Sequence, residues 1–439
     1  MYIHIEWIAS YDPVTGDIEM AGGDYPIKGL NFSAQTDLTG NSMPVNTYTV
    51  DVITTDQIPE LVDTCQLYDD RNRIWARWPL SHAQRISGGC TRVTASSWLK
   101  DLEYRELAGR MFTGELSETA IAECFGGTSG YTLAQALTGI PVYGYAPAQN
   151  ARERLTWLLF VLGGYVSDVF RNDILIGKVD TSNTLIPYRA TFMRPTVDTT
   201  DWVTGLKITT YTFRQAASEA EWQADDSSYI FPLPWIATEQ VIEITNPDAP
   251  DWAPANVVEI DGIYLINGNN VSDIANRLAG YWFNPTQAQL DCINNRAYKP
   301  GDLVTAFVGE EQLITGYIQQ ASFAFGLQAR STLKLIGVES VTGARLTVNY
   351  TYMGGRIGQA VYYLPVGMDY SISNPYIDRT HEGRRYVYRP QDDAVTGTIV
   401  SGENVATQPY DLVLEYADEY LTVYAVDAIE RQNNEGVIA

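Results

Sequence analysis

Residues able to do chemistry are few in this chain and widely scattered. Cysteines stand at 65, 90, 124 and 292, and histidines at 4, 82 and 381. No cysteines form a C-x-x-C pair and no two histidines lie close in sequence, so a local metal motif of either kind is absent. The four thiols read as buried, free side chains of a reducing compartment. Neither a G-x-S-x-G elbow nor a phosphate-binding G-x-x-x-x-G-K-[ST] or G-x-G-x-x-G loop occurs. Acids come in pairs at Asp69-Asp70, Asp225-Asp226 and Asp392-Asp393. Adjacent strand residues point to opposite faces, whereas the carboxylates of a glycosidase must converge across a cleft. These pairs therefore read as solvated loop acids. Asp12 and Asp17, in Tyr-Asp-Pro-Val-Thr-Gly-Asp, superficially suggest a cation loop, but a turn built on Asp-Pro and Gly explains them without an ion. No catalytic or metal residue and no cofactor is assigned. One binding candidate stands out: Tyr362, Tyr363, Tyr386 and Tyr388 could stack on sugar faces or meet a protein surface. The competing reading has them packing their own β module and its interface.

Charge narrows the partners. Lys and Arg number 29 against 53 Asp and Glu, a net charge of -24 over 439 residues. Such a polyanion is a poor candidate for a nucleic-acid binder with a dominant basic face, or for an anionic membrane surface. Apolar residues at 45% and charged residues at 19% mark a globular chain, long enough for about three domains. Its longest greasy run, Leu155 to Val166, is broken by Thr156 and Gly163-Gly164 and falls short of the roughly 20 residues that span a bilayer. The stretch Met1 to Ser10 alternates apolar and polar residues, without the basic and apolar regions of a signal peptide. It reads as a strand.

The elements that must position these residues are mostly strands. Tyrosines number 29, and Thr and Val alternate through many short segments, a composition suited to pleated, half-buried surfaces. Val45 to Val52 is a strand with Tyr48, Val50 and Val52 on one face, followed by strands at Arg73 to Trp78 and Arg85 to Ala95. Helices are expected from Ser97 to Leu107, from an N-cap at Ser117 to Gly126-Gly127, and from about Ala148 to Leu162. In the last of these, Ala151, Leu155, Leu158, Leu159 and Leu162 form an apolar face, with Arg152, Glu153 and Arg154 on the wet side. A hairpin follows over Tyr165 to Phe170 and Ile174 to Val179, turning at Arg171-Asn172-Asp173. A second β region from Pro187 to Ile266 has its best strands at Leu206 to Phe213 and Val257 to Ile266. Val271, Ile274, Ala275, Leu278, Ala279 and Trp282 then predict an amphipathic helix stopped by Pro285. The turn Lys299-Pro300-Gly301-Asp302 leads into a hairpin of Leu303 to Val308 and Ile314 to Phe325. From Ala344 the chain is aromatic and strand-rich, a separate module closing with a polar tail from Glu430.

Three separated runs carry a family resemblance. Leu30-Asn31-Phe32-Ser33 through Pro44 to Val50, with the strand Gly89 to Ala95 and the Leu99-Leu102 helix, resembles the first domain of phage baseplate hub proteins. These are the tail-tip hubs of long-tailed phages and related contractile injection systems. The pattern R-x-x-L-T-W-L-L-F-V-L-G-G-Y-V at Arg152 to Val166, followed by a hairpin, is similar to their helix-plus-hairpin inner domain. Asn269-Asn270-Val271 with its helix, then Tyr298 to Val304 and the strand Leu313 to Gln320, is similar to the closing barrel, where a "pGD" turn precedes a returning strand. The resemblance covers about residues 25 to 340. The terminal module, with Leu346 to Tyr350, Gly367 to Tyr370 and Leu412 to Tyr416, is similar to small mucin-binding or Ig-like repeats.

The resemblance implies a mainly β (α+β) fold. Its parts are a first β-barrel-like domain at 1–100, a helical and helix-hairpin inner domain at 101–186, a second β-barrel-like domain with an inserted helix at 187–340, a β-sandwich-like module at 345–428, and a polar tail at 429–439. It further implies a structural virion protein: a homotrimeric ring closing the distal end of the tail tube, with a channel for DNA. Its partners would be further copies, the tail tube or distal tail protein, a spike or fibre, the tape-measure protein, DNA in transient passage, and a host-surface glycan. No membrane insertion and no enzymatic activity are expected. The alternatives are a carbohydrate-active or wall-degrading tail enzyme, which needs a convergent acid pair, and a bacterial surface adhesin, against which the absent signal peptide counts.

Overall fold

The computed structural model describes residues 2–11, 15, 18–40, 42–54, 58, 64–68, 74–86, 88–167, 174–179, 183–186, 191, 194–293, 298–309, 312–325, 330–352, 356–367, 369–372, 377–381, 384–390, 395–398, 400, 402–413, 415–417, 420–422 and 435–438. Over these residues the chain is mostly β and includes a curled half-barrel sheet. The organising strand is Ile18–Gln35, eighteen residues long. Its first half pairs antiparallel with Tyr2–Tyr11, setting Asp24 opposite His4. Its second half lies between Thr47–Ile53 and Gln312–Phe325, with Leu30 opposite both Val50 and Phe325. Alternation along Thr47–Ile53 turns Tyr48, Val50 and Val52 inward, as their spacing predicts.

Strands from the first and last parts of this sheet therefore bury a single core. Its centre is aromatic: the Trp78 ring lies 5.3 Å from both Phe32 and Tyr48, and Phe323 meets Phe32 edge-on at 5.9 Å. Tyr48 is wholly buried and its hydroxyl donates to the Cys65 carbonyl at 3.0 Å, so the core carries no orphaned phenol there.

A second core sits under the helices. Helix α1 (Ser117–Phe125) and helix α2 (Ala151–Leu162) contribute Ile121, Leu155, Leu158 and Leu159. The short helix α3 (Glu219–Ala224) contributes no buried residue, whereas helix α4 (Val271–Trp282) turns Val271, Ile274, Ala275 and Leu278 inward. The three-stranded sheet of Trp235–Thr245, Gly205–Gln215 and Val257–Ile260 packs here, through Leu206, Ile208 and Ile260. The segment after residue 187 thus feeds two cores: 205–260 joins the helices, while 288–338 joins the first strands.

Several local expectations are corrected. The segment after Ser97 is a 3₁₀ turn, Trp98–Tyr104, although Leu99 and Leu102 do point inward. Ser117 is not a cap; Leu116 holds that position, and the Ser117 hydroxyl donates to the Leu137 carbonyl at 2.5 Å. Arg154, expected in solvent, is fully buried. Its Nη2 donates to the carbonyls of Ala108 and Pro147, both at 2.8 Å, which no other described side chain satisfies. The hairpin after α2 pairs Gly164–Ser167 with Ile174–Lys178, and its expected turn at 171–173 lies outside the described residues. Finally, Arg330–Tyr352 is one strand of 23 residues. It pairs with Thr286–Ile293 and Gln312–Phe325 over its first part, then with Arg356–Pro365 and Glu403–Val413.

Candidate functional site

The last two of the three quoted segments meet at a single joint. Helix α2 begins under the cap of Asn150, whose Oδ1 accepts from the Glu153 amide at 2.9 Å. It ends at Gly163 with φ of 69°, a left-handed cap that glycine adopts without strain. Above that end lies Arg277 of α4. Its Nη2 donates to the Phe160 carbonyl at 2.6 Å, and its guanidinium lies 5.4 Å from the centre of the Phe160 ring. A cation placed at the carbonyl end of a helix is favourable for charge as well as for hydrogen bonding. Burial pulls the Arg277 pKa below the usual arginine range, while Tyr281, Asp273 and Asp37 oppose that shift. A cation tied to a helix end, with a buried Nε that has no hydrogen-bond partner, is held by geometry more than by pairing.

The turn before α4 is fastened by its own asparagines. Asn270 Oδ1 accepts from the Asn267 amide at 2.9 Å, Asn270 Nδ2 donates to the Leu265 carbonyl at 2.9 Å, and Asn267 Nδ2 reaches the Tyr143 carbonyl at 3.3 Å. Asn270 does not cap α4 with its side chain; it spends both amide atoms on the turn. The closing segment arrives from the other side. In the turn at 299–302, Asp302 Oδ2 accepts from the Lys299 amide at 2.9 Å, and the Gly301 amide donates to the Ile318 carbonyl at 2.7 Å. Burial raises the Asp302 pKa, which the Lys299 amide and charge partly offset. Gly301, at φ of 96°, packs against the ring of Tyr165, the tyrosine of the Gly-Gly-Tyr-Val run.

Between these parts lies a cleft of about 900 Å³. Its walls include Val161 and Leu162 from α2, Tyr143, Tyr281 and Tyr317, and its rim carries Lys178, Asp273 and Glu339, all exposed. Tyr281 and Tyr317 meet edge-on at 5.7 Å. Among the described residues no histidine or cysteine lines it. Leucine, valine and tyrosine walls meet a rim of charged and amide side chains, and among the described lining residues nothing pairs a nucleophile with a base.

The residues singled out from sequence are placed elsewhere. Cys65, Cys90, Cys124 and Cys292 are buried free thiols, and burial pushes those of Cys65, Cys124 and Cys292 up to about 12, far from a reactive thiolate. His4 lies between Asp24 (2.6 Å) and Glu6 (3.2 Å). Among the described residues no three His, Cys, Asp or Glu gather as a metal cage. Asp12, Asp17, Asp69-Asp70 and Asp392-Asp393 lie outside the described residues. Tyr362 and Tyr363 occupy Arg356–Pro365, opposite Leu346 and Arg345; Tyr386 and Tyr388 occupy Arg384–Pro390, opposite Arg379 and Ile377. The two strands share a sheet but have Arg330–Tyr352 and Glu403–Val413 between them. Three strand spacings separate them across the sheet, and Tyr388, opposite Leu412, sits eight residues along from Asn404, which is level with Tyr362, so at the usual strand dimensions the two pairs lie roughly 30 Å apart. Sequence reading missed Arg277 and Asn267; their partners, Phe160 and Tyr143, lie more than a hundred residues away, and local spacing carries no trace of them.

No family model matches the chain, and no curated protein matches it. Among solved structures it is similar to the tail protein from Neisseria meningitidis, at 11% identity over 76% of this chain and 96% of that one, with a TM-score of 0.48. It is also similar to prophage tail protein gp18 from Listeria monocytogenes, at 12% identity over 76% and 94%, with a TM-score of 0.47. A third is the E. coli c3393 protein, a component of the type VI secretion system with structural similarity to T4 bacteriophage tail proteins gp27 and gp5; identity is 8% over 86% and 91%, and the TM-score 0.40.

Proposed function

We propose that this chain is a structural protein of a phage tail tip, a baseplate hub that closes the distal end of the tail tube and connects it to a spike or fibre. The observation that carries the reading is the joint itself. The helix-and-hairpin run and the closing "pGD" segment, which resemble the hub family in sequence, are separated along the chain yet lock together at Arg277, Gly163 and the Gly301–Tyr165 contact. The first β strands share a core with that closing segment, so the three parts of the resemblance are joined through packed contacts. Rigidity and large surfaces serve assembly; the work is shape matching and not bond breaking.

In this reading three copies form a ring whose two barrel-like β regions face the tube, with the inner domain at 101–186 between them and the module at 345–428 turned outward. A net charge of -24 keeps passing DNA from sticking to the channel wall. The tail tube or distal tail protein, the tape-measure protein and the spike or fibre are its neighbours in the virion. Tyr362, Tyr363, Tyr386 and Tyr388 offer the terminal module contacts to a glycan or a protein. Light scattering of the full chain, with electron-microscope images of the same sample, tests this. A trimeric ring is expected. A monomer at every concentration, or glycan turnover by the purified chain, overturns it.

A further inference from the structure

Charge is unevenly distributed along the chain. Between Arg214 and Arg277 there is no Lys, Arg or His, and eleven Asp and Glu fall in that interval. Residues 71–100 are the reverse: six Lys and Arg, one histidine, no acid. Each stretch contains a strand at the edge of its sheet. Trp235–Thr245 pairs with Gly205–Gln215 through eleven consecutive partners without a bulge, and among the described residues no strand lies on its other side. Leu80–Ile86 likewise pairs only with Cys90–Ser96 among the described residues.

Apart from its glutamates, the acidic edge lacks the side chains and kinks that usually blunt such strands. It has no proline, no glycine, no lysine and no register shift. Its outer face carries Glu239, Val241 and Glu243 in a row, all exposed, Val241 at 46%. The basic edge exposes His82 and Arg85, and Ile53, two strands in beyond Cys90–Ser96, is 49% exposed. Positions 82 and 85 differ by an odd number, so one lies on each face. Ala83 packs toward the first core, so His82 and Gln84 share the solvent face of this strand, the face that would continue Glu239, Val241 and Glu243.

We infer that these two edges join copies of the chain: Trp235–Thr245 of one copy pairs with Leu80–Ile86 of the next. The inference rests on the proposed ring and assigns its interface. Two different surfaces make the contact, so it is heterologous, and a heterologous contact is the kind that propagates around an axis and closes. Backbone pairing supplies the attachment; the charges choose the partner and its register.

The decisive variant is E239K/E243K in the full chain, read by light scattering and sedimentation, with circular dichroism melting to check folding. Each Glu→Lys removes one negative charge and adds one positive, so the net charge of the variant moves from -24 to -20. General repulsion between copies then weakens, and by that effect alone association would tighten. The edge contact requires the opposite, an association constant about tenfold weaker. H82E is expected to weaken association too, and E239K/E243K combined with H82E to restore it. Amide exchange in the unaltered chain gives a reading that needs no variant: residues 238–243 should gain protection as concentration rises. If the wild-type chain assembles but neither the variants nor the exchange respond, the edge contact is wrong and the ring reading stands. A wild-type monomer ends both. Should poly-lysine bind the wild-type edge, lose binding in E239K/E243K, and leave self-association unchanged, the edge serves a foreign basic segment and the copy-to-copy assignment falls.

Discussion

Gly163 and Arg277 divide the end of α2 between them. A Cβ at Gly163 would sit 2.8 Å from Arg277 Nη1, at a backbone angle that L residues rarely adopt. Gly163→Ala is therefore expected to cost about 1–2 kcal/mol, from left-handed strain plus displacement of the guanidinium. Gly268→Ala, where nothing lies within 4 Å, should be close to neutral. Urea unfolding of the two variants side by side checks the contrast. His4 gives a pH signature. Burial lowers its pKa, but the hydrogen bonds and charges of Asp24 and Glu6 win, and the net shift is upward. A raised pKa stabilises the fold in full below the unfolded value, about 6.5, and the benefit is lost as pH rises through the folded value. His4→Gln should remove that slope, as urea midpoints on either side of neutrality would show; an unchanged slope places its origin elsewhere. Arg154 marks the limit of sequence reading at this scale. Its neighbours Arg152 and Glu153 made a solvated stripe the natural expectation, and the carbonyls of Ala108 and Pro147 that draw it inside come from other segments of the chain.

Elements were legible wherever their signal is local. The 3.6-residue period alone places α4, and Val271, Ile274, Ala275 and Leu278 are indeed its inward residues. Alternation placed Thr47–Ile53 in the same way. The cap of α2 is one residue, Asn150, and Asn150→Ala should cost about 1 kcal/mol, seen as a lower melting temperature. What local signals could not carry was partnership. Nothing within Ile18–Gln35 says that Leu30 faces Phe325. The joint is hidden in the same way, since Tyr165 and Gly301 are ordinary residues until the chain brings them together. A consequence is testable with fragments: residues 1–100 made alone should lack cooperative unfolding, because Phe32 loses Phe323 and the core loses the strands after 286. Adding a fragment spanning 286–352 should not rescue it without the helices that hold that fragment in register. Cooperative melting of 1–100 by itself would show that its core is self-sufficient.

At the scale of the whole molecule, acidity and architecture act on different partners. A chain at -24 should leave duplex DNA unshifted in a gel at physiological salt, since counterion release requires cations it does not display over a broad surface. A salt-sensitive shift would mean a local basic face strong enough to override the total. The strand Arg330–Tyr352 has a mechanical meaning. Its 23 residues span roughly 70 Å if extended, and it belongs to both the main sheet and the terminal one. A tug on the terminal module along that strand would load its ladders in shear, many hydrogen bonds at once, where a flexible tether would have unzipped them singly. Force applied at the far end would thus reach the main core nearly undamped, as through a tie rod.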